Sequence, residues 1–248
     1  MTAVSAGERA MAGELNVLCA GAVKGLVLAL QGGFEGATGL RVLATFGAVG
    51  AMRDALRSRA PCDVFIATAA MLDALQASGE LRPGTQRAIG SVATAVAVKA
   101  SAPAPAINSA ESLKAVLLAS SAIYFPDATL STAGAHVAAI LERLAIRAAL
   151  ASRLRMFANG AIAMRELAGA DERAIGCTQA TEIRYTPGLT LVGALPAPFA
   201  LATVYSAAVA DGSRDGEGAR RFIELLAGAS SADLRRAGGF DETSEGVN

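Results

Sequence analysis

Short apolar runs alternate with amphipathic segments along the chain from Leu15 onward. A short apolar run between turn residues predicts a buried strand, and apolar positions that recur roughly every three or four residues predict a helix. In the first third of the chain this pattern predicts strands at residues 15–20, 41–46 and 63–67. A helix is predicted after each strand, at residues 22–36, 49–58 and 69–78. This alternation indicates a parallel sheet covered by helices.

The alternation continues after a longer predicted strand at residues 90–100. Further strands are predicted at residues 122–125, 155–157, 174–178, 189–192 and 201–210. Further helices are predicted at residues 109–120, 133–144, 160–168, 217–227 and 231–237. A polar tail at residues 241–248 is expected to fray.

The pattern divides near Gly90 into two α/β units, with a long strand at each junction. We therefore predict an α/β fold of two lobes, each a helix-covered, mostly parallel sheet, joined by two crossover hinge strands. Residues 15–89 and 194–248 would form the first lobe and residues 90–193 the second. Ligands of such sheets bind at the carboxyl ends of the strands, against helix N-termini, so the predicted ligand site is the cleft between the lobes.

The composition argues against several classes of function. The 248 residues carry 22 Lys and Arg against 22 Asp and Glu, aromatic residues make up 4%, and Trp is absent. Nucleic-acid binding is not expected, because it depends on clustered cations and stacking rings. The apolar stretches at residues 92–98 and 197–210 are interrupted by polar residues or proline, so no membrane span is predicted. Three scattered cysteines and a single histidine argue against a metal site, and unpaired thiols fit a reducing compartment.

The first residues of the chain bear on its location. Residues 1–14 contain Glu8, Arg9 and Glu14 and have no continuous apolar core, so they are not expected to act as a secretory signal. This favours a cytoplasmic location. A periplasmic or extracellular location would require that a signal segment had been removed.

Small residues follow the first two predicted strands, as CAGAVK at residues 19–24 and FGAVGA at residues 46–51. Small residues at a strand-to-helix turn allow backbone N–H groups to point at an anion. Close packing of a helix on its strand is the alternative explanation for each turn. Two such turns in succession favour an anion or small-ligand site, although the phosphate-loop pattern GxxxxGK[ST] and the pattern GxGxxG are both absent.

Several segments resemble the molybdate-binding proteins of the type II periplasmic solute-binding fold, in which two lobes close on a ligand. These segments are LNVLCAGA at 15–22, FGAVGA at 46–51, APCDVFI at 60–66, PD at 126–127, STAG at 131–134, AIG at 174–176 and AGGF at 237–240. The resemblance covers nearly the whole chain from Leu15. The segments CTQATEI at 177–183 and LVGALP at 191–196 resemble the branch that includes aconitate isomerase, an enzyme that moves a proton across an allylic tricarboxylate.

The chain departs from the family pattern at the positions that the resemblance assigns to the ligand. Family members hold an oxyanion with one serine after the first strand and another in the second turn, where this chain has Ala22 and Val49. Gln179 stands in place of a tyrosine of the second lobe. A hydrogen bond to a charged group contributes about 1.5–3 kcal/mol, so losing two lowers affinity roughly a hundred- to ten-thousand-fold. We therefore expect a small organic carboxylate, with its hydrocarbon part against Ala22 and Val49, rather than molybdate.

Three charged or titratable residues are candidates for chemistry or for carboxylate binding. His136, the only histidine, is predicted in the first turn of its helix, where a base could take a proton next to a carboxylate. Glu182 could act as acid or base, and Arg184 could pair with a carboxylate. The alternatives are a surface or packing histidine, and a solvated helix face that carries Glu182 and Arg184.

Other polar residues near the predicted cleft also have two interpretations. The hydroxyls of Thr129, Ser131 and Thr132 could bind a ligand or cap a loop and helix. Tyr124 and Tyr205 are expected in the core. Buried packing is expected for Cys19 and Cys177, because a catalytic thiolate needs a neighbouring base.

Two functions fit these observations. The first is a cofactor-free isomerase that moves a proton on a small unsaturated or keto carboxylate, with backbone amides stabilising the charge that develops. The second is a binding protein, either the receptor of an importer or an intracellular sensor, that closes on a small anion without chemistry. In both cases the expected partner is a small organic anion, and no cofactor or metal is predicted. The candidate catalytic residues are His136 and Glu182, and the predicted ligand-binding residues are Gly21, Ala22, Ala48, Val49, Ser131, Thr132, Ala133, Gly160, Gln179 and Arg184.

Overall fold

The computed structural model describes residues 13–242. Its strands are β1 (Gly13–Ala20), β2 (Leu40–Gly47), β3 (Val64–Thr68), β4 (Arg87–Lys99), β5 (Ile123–Pro126), β6 (Leu154–Phe157), β7 (Ile175–Gln179), β8 (Leu189–Ala194) and β9 (Ala202–Val209). Its helices are α1 (Lys24–Thr38), α2 (Val49–Arg57), α3 (Ala69–Ala77), α4 (Ala110–Ala119), α5 (Thr132–Arg143), α6 (Arg147–Leu150), α7 (Gly160–Ala168), α8 (Ala180–Tyr185), α9 (Gly216–Ala227) and α10 (Ala232–Gly238). The predictions for the N-terminal segment and the tail fall largely on residues 1–12 and 243–248, outside the described residues.

The nine strands form one curled, mixed sheet in the order β2-β1-β3-β9-β4-β7-β5-β6, with β8 paired to β4. β1 runs parallel to β2 and β3, and β5 runs parallel to β6 and β7. These two parallel groups, each covered by helices, are the sheets that the alternation predicts. The two-lobed α/β fold class is therefore confirmed. Within residues 13–242, no helix has both the length and the apolar character needed to cross a membrane.

β4 carries the chain from one parallel group to the other. Its residues 87–93 pair with β9, whereas its residues 94–99 pair with β7 and β8, in each case antiparallel. At the changeover, the N–H of Thr94 donates to the carbonyl of Leu201 at 2.8 Å, and the N–H of Leu195 donates to the carbonyl of Thr94 at 3.0 Å. β4 is thus one crossover strand, and the second crossing is the irregular segment 195–201 that joins β8 to β9. The exact lobe boundaries, near residues 90 and 194, stay a prediction.

The apolar core consists of two clusters, one for each parallel group. Phe65 and Phe222 are fully buried in the first cluster, and Leu113 belongs to the second. The first cluster also includes Met164 of α7 and Ile183 of α8, although both helices belong to the predicted second lobe. The two lobes are therefore in apolar contact, and the cleft between them is closed along this contact.

A buried carboxylate joins three segments of the first lobe. Oδ2 of Asp63 accepts from the backbone N–H of Asn16 at 2.8 Å, and Oδ1 accepts from the Ser213 hydroxyl at 2.9 Å and the Arg214 N–H at 3.0 Å. Burial by itself raises the pKa of Asp63, but these hydrogen bonds outweigh burial and lower the pKa below its usual value. The ionised side chain therefore links β1 and β3 to the segment that precedes α9.

Candidate functional site

Glu182 lies where three helical segments begin. α8 begins directly after β7, α7 begins at Gly160, and a single 3-10 turn at Gly21–Val23 leads from β1 into α1. A methyl group on Gly21 would lie 2.6 Å from Oε1 of Glu182, and one on Gly160 would overlap with Oε2. The carboxylate thus fills a space between the backbones of the two lobes that exists because both positions are glycine.

Local sequence explains why the Glu182 side chain points into this space. Gln179 is the N-cap residue of α8, so Glu182 is the third residue of the helix, from which a Glu side chain can reach back to the N-cap amide. The Thr178 hydroxyl donates to Oε2 at 2.5 Å, and the backbone amides of Gln179 and Ala161 lie close enough to lower the pKa of the carboxyl. The same contacts that start the helix therefore hold the carboxylate in the cleft.

Burial governs the ionisation of Glu182. The residue is 7% exposed, and its burial raises the pKa to about 6 in spite of the hydrogen bonds that lower it. A carboxyl group whose pKa lies near neutrality can both accept and return a proton at the pH of a cell. The geometry and the pKa together suit an acid–base role.

The side chain of Gln179 is buried in the same region without a hydrogen-bond partner. The residue is 2% exposed, and within the described part of the chain neither the nitrogen nor the oxygen of its amide has a partner. An unpaired buried polar group of this kind destabilises a fold by about 1–3 kcal/mol. Gln179 thus leaves a donor and an acceptor without partners in the described chain, and its role as a ligand contact stays a prediction.

Tyr205 and Cys19 occupy the same buried region. Burial, followed by the charges of Glu182 and Cys19, raises the pKa of Tyr205, whereas the nearby Gln179 side chain lowers it without the geometry of a full hydrogen bond. Burial also raises the pKa of the Cys19 thiol, and it raises that of Cys177 to about 12. Both thiols therefore stay protonated at neutral pH, which fits packing rather than nucleophilic catalysis.

The second predicted anion turn contacts the other lobe. Ala48 is the N-cap of α2 and Val49 its first residue, and both are buried. The N–H of Gly50 donates to the carbonyl of Leu130 at 2.8 Å, and a methyl group on Gly50 would lie 3.1 Å from Leu130. In this closed conformation the chain itself therefore satisfies an amide that could hold an oxyanion.

Hydroxyl groups in the segment before α5 form hydrogen bonds within the loop and at the start of the helix. Ser131 is the N-cap of α5 and accepts from the N–H of Gly134 at 3.3 Å, while Thr129 donates to Asp127 at 2.6 Å. Thr132 and the buried Ala133 follow as the first two residues of the helix. Of the two predicted interpretations, these contacts match the capping one for Ser131 and Thr129.

His136 and Arg184 make contacts outside the Glu182 region. Nε2 of His136 lies 2.7 Å from the carbonyl of Phe199, in the connection between β8 and β9. Arg184 is exposed on the opposite side of α8 from Glu182, and its side chain packs against Gly239. Within residues 13–242, no hydrogen bond or salt bridge joins either residue to Glu182. Their predicted roles in catalysis and carboxylate binding stay predictions.

The fold brings to this region several threonines that are not among the predicted site residues. Thr178 hydrogen-bonds Glu182, whereas the hydroxyls of Thr94, Thr181 and Thr203 are buried and have no partner in the described chain. The spacing of four residues between Thr178 and Glu182 was a usable signal. No comparable signal exists for Thr94 and Thr203, because strand pairing places them. Within the described range, no group of three or more His, Cys, Asp or Glu side chains is arranged to hold a metal.

The chain as a whole matches a known protein family. The profile described as bacterial extracellular solute-binding protein matches residues 15–241. The chain belongs to this family. Aconitate isomerase of a Pseudomonas species is 28% identical to it over 227 residues, which is 88% of this chain and 84% of that protein.

Solved structures show the solute-binding fold of this chain. The periplasmic molybdate-binding protein of Azotobacter vinelandii matches with a TM-score of 0.75 at 19% identity, over 93% of this chain and 100% of that one. The sulfate-binding protein of Mycobacterium tuberculosis H37Rv matches with a TM-score of 0.70 at 14% identity, over 94% and 88%. The predicted resemblance to molybdate-binding proteins of the periplasmic fold is thereby confirmed, at the level of fold.

Proposed function

We propose that this solute-binding chain is a cofactor-free isomerase that moves a proton on a small unsaturated or keto carboxylate. The observation that carries the proposal is the buried Glu182 carboxyl, whose pKa is raised to about 6 between the glycine backbones of the two lobes. The similarity to aconitate isomerase supports the same class of reaction. A base of this kind contributes roughly 10²–10⁴ in rate.

The reaction is a proton transfer in two steps. Glu182 takes a proton from a carbon next to the double bond or carbonyl group, and the electron pair of the broken C–H bond moves into the conjugated system as a dienolate or enolate. The protonated Glu182 then returns the proton to the other end of that system, which restores the catalyst. Backbone amides at the helix starts that are not bound to Glu182 would stabilise the negative charge between the two steps.

Of the two candidate bases, Glu182 has the better position. Nε2 of His136 is engaged with the Phe199 carbonyl, which leaves Nδ1 as the nitrogen available for proton transfer. Glu182 is held by Thr178 in a buried site beside the unpartnered amide of Gln179. His136 would therefore hold the segment between β8 and β9 in place through the Phe199 carbonyl, rather than take part in the reaction.

A non-catalytic binding protein is the second candidate. The family description, bacterial extracellular solute-binding protein, favours it, as does the contact between Gly50 and Leu130 across the closed cleft. An importer receptor would act outside the cytoplasm, whereas the isomerase is proposed to be cytoplasmic. Both candidate functions require that the protein binds a small anion. They differ in whether the bound anion is chemically converted.

Deuterium exchange separates the two candidates. The protein is incubated in deuterated water with cis-aconitate, trans-aconitate and pent-2-enedioate, and proton NMR follows both deuterium incorporation and new isomers. We expect incorporation with the unaltered chain, a loss of at least about a hundredfold in Glu182→Gln, and no change in Glu166→Gln, an exposed carboxyl on α7. Calorimetric binding of a probe that stays chemically unchanged would instead establish the binding protein.

A further inference from the structure

A group of unpartnered polar side chains lies where β4 passes from one lobe to the other. Thr94 is fully buried, Gln179 is 2% exposed and Thr203 is 9% exposed. Within residues 13–242, neither threonine hydroxyl has a hydrogen-bond partner, and neither does either end of the Gln179 amide. We call these three residues the hinge group. Buried polar groups in folded proteins are almost always paired, so a group of orphaned ones points to a missing partner.

Strand register places the hinge group on one face of the sheet. In antiparallel strands, directly opposed residues project to the same face, as do residues two apart along one strand. Thr94 is opposite Gln179, and Thr203 is opposite Val92, two residues before Thr94. Three polar side chains from β4, β7 and β9 therefore share a face at the crossover.

Tyr205 connects the hinge group to Glu182. Tyr205 lies two residues after Thr203 on β9, and its pKa responds both to the charge of Glu182 and to the side chain of Gln179. Gln179 also precedes Glu182 at the start of α8. The hinge group thus continues the region that holds the proposed base, and it adds Thr94 and Thr203 of the crossover to Gln179, which is already a predicted ligand-binding residue.

The donors of the hinge group match a carboxylate. The Gln179 amide offers two N–H donors, and each threonine offers a hydroxyl that can rotate to donate, whereas a carboxylate has about four acceptor positions. The group contains no cation and no acid, so it would bind the carboxylate through neutral dipoles. A ligand carboxylate here would also repel the ionised form of Glu182 and make that residue a stronger base.

Resting on the proposed function, we propose that the hinge group binds the second carboxylate of a small unsaturated dicarboxylate, while Glu182 acts on the carbon chain between its two ends. The hinge group is thereby a specificity site for dicarboxylates over monocarboxylates. Its threonine hydroxyls gain their hydrogen-bond partners from the ligand alone.

A pair of probes that differ in one end group tests this assignment. Pent-2-enedioate carries a second carboxylate where pent-2-enoate has a methyl group. Isothermal calorimetry measures both Kd values for the unaltered chain, for the double variant Thr94→Val with Thr203→Val, and for Thr45→Val as a matched control on an exposed position of β2. Thermal unfolding of each variant is measured in parallel without ligand.

We expect the unaltered chain to bind pent-2-enedioate at least about tenfold more tightly than pent-2-enoate. In the double variant, the Kd for pent-2-enedioate should rise by about tenfold or more, since hydrogen bonds to a charged group are of that strength. The Kd for pent-2-enoate should stay within about twofold of its value in the unaltered chain. Its Tm should be equal or higher, because valine has the shape of threonine without the orphaned hydroxyl. The Thr45→Val control should change neither Kd.

Several results would overturn the proposal: no binding of either probe, equal binding of both, an equal loss of affinity for both in the double variant, or a lower Tm that shows the hydroxyls to be paired within the fold.

The binding experiment tests the hinge group independently of catalysis. If the chain binds the dicarboxylate selectively but catalyses no deuterium exchange, the hinge group is supported as a carboxylate site and the isomerase function is rejected. If the chain catalyses exchange but binds both probes equally, the isomerase function is supported and the hinge-group proposal is rejected.

Discussion

Replacing Glu182 by glutamine should change how the stability of the fold depends on pH. The pKa of Glu182 is about 6 in the folded chain against an ordinary value of 4.5, and each pKa unit corresponds to about 1.4 kcal/mol. An acid with a raised pKa binds its proton more tightly when folded. Its contribution to stability is therefore complete below about pH 4.5 and is lost as the pH rises through about 6. By pH 7.5, the buried charge should have lowered the free energy of unfolding by about 2 kcal/mol.

Glutamine keeps the shape of the side chain but cannot ionise. Urea unfolding of the unaltered chain and of Glu182→Gln, between about pH 4 and pH 7.5, gives the difference in the free energy of unfolding between them. We expect this difference to shift by about 2 kcal/mol in favour of the variant across that range, because other titrating groups cancel in the comparison. Glu166→Gln, exposed on α7, should give a flat difference. A flat or opposite trend for Glu182→Gln would refute the burial argument, whatever the variant does to turnover.

Three other substitutions test separate features. Gly21→Ala should leave Tm nearly unchanged, because the end of the Glu182 side chain can move away from the new methyl, but it should lower deuterium exchange at least about tenfold; unaltered exchange would contradict the placement of the base. Asp63→Asn should lower the free energy of unfolding by about 3 kcal/mol in urea titrations, since an amide cannot accept all the hydrogen bonds of the carboxylate; a loss under about 1 kcal/mol would show that the network contributes little. Gly33→Ala and Gly36→Ala, both on exposed positions of α1 with open space at Cβ, should each raise the free energy of unfolding by about 0.5–1 kcal/mol; a decrease would mean that something packs on that face.

The sequence predicted the regular elements well where its signals are local. The apolar runs and helical spacing located the long helices and all nine strands, and the helix from Gly160 to Ala168 has the predicted bounds. α8 has no strong starting signal, because its N-cap is Gln179 rather than Ser, Thr, Asp or Asn. α6 is a single short turn. For these reasons the hydrophobic pattern did not predict either helix.

The candidate site was predictable only in part. Gly21, Gly160, Gln179 and Glu182 were singled out from turns and resemblance, and the structure brings them together. The bond between Gly50 and Leu130 joins residues of different lobes. A contact of this kind depends on how the lobes meet, which no local spacing encodes.

The apolar cluster that α7 and α8 share with the first lobe has a kinetic consequence. Gln179 and Glu182 are almost inaccessible while Met164 and Ile183 remain packed in that cluster, so a small molecule can reach them only after the lobes separate. Separation exposes apolar surface to water and breaks the Gly50–Leu130 bond, and both changes oppose opening. The rate of this opening sets a ceiling on how fast the protein can exchange its ligand, and for an isomerase it sets the same ceiling on turnover.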